Sequence, residues 1–182
     1  MDLISVFQIL IENFQKHNIR FALMGGFAMH AAGYSRTTQD IDMLVLKEDM
    51  PKVKEIMSSL GYELIFESED VSNFRSRLKE LGRVDFLHAH REYAKNMLKR
   101  AKKCGILNDK FSVSVLAPED LIGLKVQSSS NDPERYHRDM ADIEFLIRHN
   151  PKTLNLELIR EYFSLFSRGK ELDDILARIP NA

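Results

Sequence analysis

Asp40 and Asp42 flank Ile41 in the run Asp40-Ile-Asp-Met-Leu-Val-Leu, whose apolar residues read as a strand. Side chains two apart on a strand share a face, so the two carboxylates project together while Ile41 and Met43 enter the opposite, apolar face. Adjacent carboxylates repel unless a cation lies between them, and a hard divalent ion such as Mg²⁺, or Mn²⁺, takes such oxygen ligands. Asp85 repeats the pattern in Arg83-Val-Asp-Phe-Leu, flanked by Val84 and Phe86. A carboxylate in an apolar strand is costly to bury unpaired. A third aspartate beside the first two suits a two-metal site in which Asp85 orients or ionises an attacking hydroxyl.

Upstream, Gly25-Gly26 closes the apolar run Arg20-Phe-Ala-Leu-Met and precedes a short helix over Phe27–Ala32. Glycines there leave room for a phosphate chain to approach backbone N–H groups. Between glycines and aspartates, Ser35, Arg36, Thr37 and Thr38 form a loop rich in donors for phosphate or for the loop itself. The glycines do not match G-x-G-x-x-G, which argues against a dinucleotide-binding fold.

The elements that must hold these residues alternate between strands and helices up to residue 115 and are helical thereafter. A helix spans Asp2–His17 with Asp2 as N-cap, and Asn18 ends it. Strands cover Arg20–Met24, Asp40–Leu46, Tyr62–Phe66, Phe74–Glu80, Arg83–His88 and Phe111–Leu116. Helices cover Lys47–Leu60, a basic run Arg91–Lys103 closed by Gly105, Pro118 onward, Arg135–His149 and Leu156–Ile179, the last broken near Gly169. The expectation is an α/β (α+β) fold, with a mixed-sheet core over residues 1–115 and a helical subdomain over 116–182 packed on it.

From Met24 through Val45 the sequence resembles the nucleotidyltransferase superfamily, with its glycine pair, spacer and Asp-x-Asp flanked by apolar residues. The nearest likeness is to the minimal, abortive-infection toxin (AbiEii-like) type. It extends to Val84-Asp85-Phe86, to Ala117-Pro-Glu-Asp-Leu-Ile-Gly-Leu-Lys125 and to Arg138-Asp139-Met-Ala-Asp142. The resemblance implies a mixed β-sheet flanked by helices and a nucleoside triphosphate substrate. It also implies metal at Asp40, Asp42 and Asp85, and phosphate or nucleotide contacts from Gly25, Gly26, Ser35, Arg36, Thr38 and Lys125. The acceptor would be a hydroxyl of RNA, protein or a small molecule, and an antitoxin protein is a possible partner. The alternative is a non-catalytic nucleotide-binding or toxin–antitoxin module. Lys125 reads equally as a lysine extended along an apolar helix face, and Asp139 and Asp142 as partners of Arg135 or Arg138.

Bulk composition narrows little else. The chain has 182 residues, a formal charge of −1, 44% hydrophobic and 29% charged residues, an ordinary globular composition. Near-neutral charge gives no overall pull toward polyanions. Arg91, Lys95, Lys99 and Lys102 or Lys103 make a stripe that reads as a solvated face or as a contact for RNA phosphates. The lone Cys104 fits a reducing compartment. The N-terminal segment, with Glu12 inside it and no basic start, is a poor signal peptide. No apolar run is long enough for a membrane span, so the expected location is cytoplasmic.

Overall fold

Phe7, Leu10 and Phe14 recur at helical spacing and are fully buried, which gives the first helix its packing face. The computed structural model describes residues 3–34, 38, 40–77, 82–107 and 109–179; the Asp2 cap lies outside them. The chain divides into two compact units, Met1–Leu116 and Ala117–Ala182.

The first unit runs α1 (Leu3–Lys16), β1 (Phe21–Met24), α2 (Gly25–Ala31), β2 (Asp40–Leu46), α3 (Met50–Ser59), β3 (Tyr62–Glu67) and β4 (Val71–Ser76). It continues with β5 (Arg83–Ala89), α4 (Glu92–Arg100), β6 (Lys102–Ile106) and β7 (Phe111–Val115). Its strands form a seven-stranded mixed sheet in the order β3-β4-β5-β2-β1-β7-β6. The β2/β5 and β1/β7 pairs are parallel and the others antiparallel. One face of the central strands is apolar: Ile41, Met43, Val84 and Phe86 are buried. Phe14 of α1 packs on this face against Phe21 and Phe86, at ring separations of 5.4 and 6.0 Å. The other face carries the aspartates.

Helix ends follow residues that tolerate left-handed backbone. Asn18, at φ 54°, follows α1, and its N–H donates to Gln15 O, the αL termination usually given to glycine. Two expectations differ from the structure. The basic helix ends at Arg100, and Lys102–Ile106 is an edge strand pairing antiparallel with β7, Cys104 opposite Val113. Lysine and alanine suit a helix locally, but the pairing with β7 overrides that preference, and exposed Lys102 and Lys103 discourage further edge pairing. The strand expected over 74–80 begins earlier, at Val71, and ends at Ser76; residues 78–81 lie outside the described set. The basic stripe on α4 is matched by acids: Lys95 by Glu48 at 3.3 Å, Lys99 by Glu92 at 3.6 Å and Arg91 by Asp70 at 3.3 Å.

The second unit contains α5 (Pro118–Asn131), α6 (Tyr136–His149), α7 (Leu156–Leu165) and α8 (Gly169–Arg178). The break between the last two is made by Ser167 at φ 57°, while Gly169 starts α8. Arg168, beside that break, donates to Val126 O at 3.2 Å, Ser129 Oγ at 2.7 Å and Ser130 Oγ at 3.0 Å, and pairs with Glu171 at 2.7 Å. Its side chain is only 10% exposed, so truncation strands Glu171 and several α5 acceptors. Arg168→Ala is expected to cost about 3 kcal/mol, as for breaking a buried pair. Denaturant titration checks this; a loss near zero would mean the bonds are replaced by water. Among the described residues, no helix is long and apolar enough to cross a membrane.

Candidate active site

The carboxylates are brought together by register. In the parallel β2/β5 pair, Asp42 stands opposite Asp85 and Asp40 opposite Arg83. Paired positions share a face, so Asp40, Asp42 and Asp85 lie on the side of the sheet opposite the Phe86 core. All three are partly buried. On the flank of β2, Met24 pairs with Asp42; on the flank of β5, Asn73 pairs with Asp85. One row across the sheet therefore reads Met24, Asp42, Asp85, Asn73.

Asp85 is framed by two side chains. Asn73 Nδ2 donates to Asp85 Oδ1 at 2.8 Å, and Arg83 Nη2 stands 3.5 Å from the same oxygen. Burial pushes the Asp85 carboxyl above its ordinary range. The Asp40 charge adds to that rise, while the Asn73 bond and Arg83 oppose it. Arg83 is itself under-satisfied: its Nε is buried with no partner among the described residues. Asn73 and Arg83 were not among the residues singled out from sequence. The signal was there, since Asn73 precedes Phe74 in an alternating strand, but the strand was expected to begin one residue later.

The glycine pair makes room for neighbouring side chains. Gly25 has φ +60°, and a Cβ there would collide with the Asp42 carboxylate. A Cβ on Gly26 would meet Thr38 Oγ1 at 2.5 Å. The space above the glycines thus admits the protein's own Asp42 and Thr38. Thr38 in turn donates to Asp40 O at 3.1 Å, bracing the start of β2. Gly25→Ala is expected to destabilise the fold by about 1–3 kcal/mol through backbone strain, and to displace the Asp42 carboxylate. Thermal unfolding with a high-resolution structure of the variant checks both; an unmoved Asp42 would contradict the steric role. Ser35 and Arg36 lie outside the described residues.

In the second unit, Lys125 is 8% exposed. Its ammonium donates to Asp139 Oδ1 at 3.3 Å and to Asp142 Oδ2, and Arg135 Nε stands 3.4 Å from Asp139 Oδ2. Three buried ionic groups satisfy one another there, with Arg135 at the edge. His88 and His90 have ordinary partners: the His88 ring bridges Ser72 Oγ and Glu69 O, each at 2.9 Å, and His90 meets Asp70 at 2.6 Å.

A family model described as uncharacterised nucleotidyltransferase matches residues 4–165. The chain belongs to that family. No curated protein matches it. Among solved structures, the antibiotic-resistance factor ANT(2'')-Ia superposes with a TM-score of 0.68 at 15% identity, covering 97% of this chain and 99% of that one. The lincosamide antibiotic adenylyltransferase LnuA, bound to lincomycin, gives 0.57 at 16% identity, covering 78% and 93%. A putative nucleotidyltransferase from Thermotoga maritima gives 0.56 at 11% identity, covering 76% and 92%. These likenesses establish the nucleotidyltransferase fold.

The carboxylate row of this nucleotidyltransferase fits a hard divalent cation in donor type. It offers oxygen ligands on one face, and burial, with a smaller part from the Asp40 charge, raises the Asp85 carboxyl; a cation would relieve that repulsion. Among the described residues, however, no three acidic, histidine or cysteine side chains are drawn together as a coordinating group. The Asp85 carboxylate instead faces Asn73 and Arg83.

Proposed function

We propose that the protein moves a nucleotidyl group from a nucleoside triphosphate to an acceptor hydroxyl at the Asp40, Asp42 and Asp85 row. The observation that carries this reading is the register match of Asp42 with Asp85, which places a third carboxylate beside the Asp-x-Asp pair on one face. The acceptor oxygen forms a bond to the α-phosphorus, the bond to the bridging oxygen of the β-phosphate breaks, and diphosphate leaves. The acceptor proton passes to Asp85, whose raised affinity for protons suits a general base.

Asp40 and Asp42 would hold Mg²⁺ or Mn²⁺, leaving Asp85 to take the proton; when bound, the cation supplies charge neutralisation for the phosphates and acidity to the acceptor hydroxyl. Asn73 and Arg83 keep Asp85 oriented. Gly25 and Gly26 make room for Asp42 and Thr38, and Ser35 and Arg36 supply phosphate donors. We assign Lys125 to the ion cluster with Asp139 and Asp142 rather than to phosphate, since phosphate contact would require it to abandon two buried carboxylates. The similar structure named as a lincosamide antibiotic adenylyltransferase supports nucleotidyl transfer without defining the acceptor. A role as an AbiEii-like toxin, with an antitoxin partner, predicts growth arrest on expression that Asp42→Ala relieves; normal growth with the unmutated protein would contradict it.

Label position tests the reaction class. With Mg²⁺ and total cell extract, label from an α-phosphate-labelled nucleoside triphosphate is expected on the acceptor. Label from the γ-phosphate is expected only in diphosphate. Transfer of the γ-label to the acceptor would identify a phosphoryl transferase and sink the proposal.

A further inference from the structure

The β3 strand departs from simple alternation beside the carboxylate row. Leu64 pairs with Phe74, whose ring packs edge-on against Phe86 at 5.6 Å, so position 64 shares the apolar face of the sheet, although Leu64 itself is 42% exposed. Simple alternation would return position 66 to that face. Instead the register shifts between Leu64 and Phe66, and Phe66 pairs with Asn73, the residue that donates to Asp85. Glu67 then pairs with Ser72 and reaches Lys54 of α3 at 2.5 Å, which confirms that the faces have exchanged. A β-bulge of this kind re-aims a side chain. Here it puts an aromatic ring, 54% exposed, on the carboxylate face and two strands from Asp85, about 10 Å at the usual strand spacing.

The adjoining row adds charge. Arg75 pairs in register with Arg83, and Arg83 with Asp40. Arg75 is exposed, and no carboxylate among the described residues pairs with it; Glu63, its neighbour across β3, is taken by Arg77 at 2.6 Å. Like charges placed opposite each other are unfavourable, and Arg83 Nε already lacks a partner. Arg75 and the unpartnered Nε edge of Arg83, whose Nη2 already meets Asp85, can take a further anion, and phosphate is the one their planar donor geometry suits best.

We infer that Phe66, Arg75 and Arg83 form the acceptor subsite, and that it takes an acceptor carrying a flat ring and a phosphate near its hydroxyl, the chemistry of a nucleotide unit at the end of a strand. This rests on the proposed transfer at the carboxylate row and deepens it. The ring stacks on Phe66, the phosphate sits on Arg75 and Arg83, and the hydroxyl reaches over Asn73 to Asp85. Base–aromatic stacking tolerates sequence, and phosphate contacts make binding salt-dependent.

The test measures binding and transfer separately, with a short single-stranded oligoribonucleotide as the probe. By fluorescence anisotropy, Phe66→Ala and Arg75→Glu are each expected to weaken binding about tenfold or more, and Arg75→Ala to lower the salt slope by about one. In transfer assays the same variants raise the KM for the oligonucleotide, with the KM for the donor nucleotide as internal reference. Oligonucleotide binding indifferent to all three variants would overturn the subsite, as would transfer to a cationic polyol that Arg75→Glu improves. Because binding is read without catalysis, loss of the subsite is distinguishable from loss of the transfer reaction: oligonucleotide binding sensitive to these variants in a protein that transfers nothing would retain the subsite and reject the chemistry.

Discussion

Asp85→Asn is expected to lower kcat about 10²- to 10⁴-fold, the range for removing a general base, while nucleotide binding persists. The substitution keeps the shape of the side chain on β5 and the register with Asp42, so the loss is chemical. The pH profile sharpens the expectation. Burial, aided by Asp40, raises the Asp85 carboxyl above its ordinary range. Transfer by the unmutated protein should therefore fall on the acid side as Asp85 takes up its proton, and Asp85→Asn should remove that limb. Stability moves the other way. A carboxyl with a raised folded-state pKa is most compatible with the fold when protonated, so its contribution declines as pH rises from the ordinary carboxylate range through the raised value. Asp85→Asn should flatten that decline. An unchanged acid limb in the variant would assign the titration to another group.

The second large effect is on stability. Lys125→Met is expected to destabilise the helical unit by about 3–5 kcal/mol, because it leaves Asp139 and Asp142 buried without their shared cation. Arg135 still reaches Asp139 at 3.4 Å. Combining Lys125→Met with Asp142→Asn should recover a measurable part of the loss, the non-additivity expected of groups in one network. Denaturant titration of the single and double variants reads this directly. Additive losses would mean that the two groups do not stabilise each other.

Much of the fold was legible because local signals agree with tertiary packing. The alternation in Asp40-Ile-Asp-Met gives the aspartates one face and the core another, as Ile41 and Met43, both fully buried, bear out. Asn18 marks a helix end by its own conformational tolerance. What escaped was set by partners distant in sequence. Lys102–Ile106 has the composition of a helix end and becomes a strand only because β7 pairs with it. The shift between Leu64 and Phe66 is defined against β4 and has no local marker in Tyr62–Glu67. The approach of Asp42 to Gly25 likewise depends on how β1 and β2 pair. Asn73 belongs to the same class: its importance comes from standing opposite Asp85.

The decisive measurement is label transfer from an α-phosphate-labelled nucleoside triphosphate by the unmutated protein and by Asp42→Ala, with Mg²⁺ and total cell extract, after circular dichroism has shown both to be folded. Transfer by the unmutated protein and none by the variant is the expected result. Equal transfer by a folded Asp42→Ala protein would contradict the assignment of the reaction to the carboxylate row.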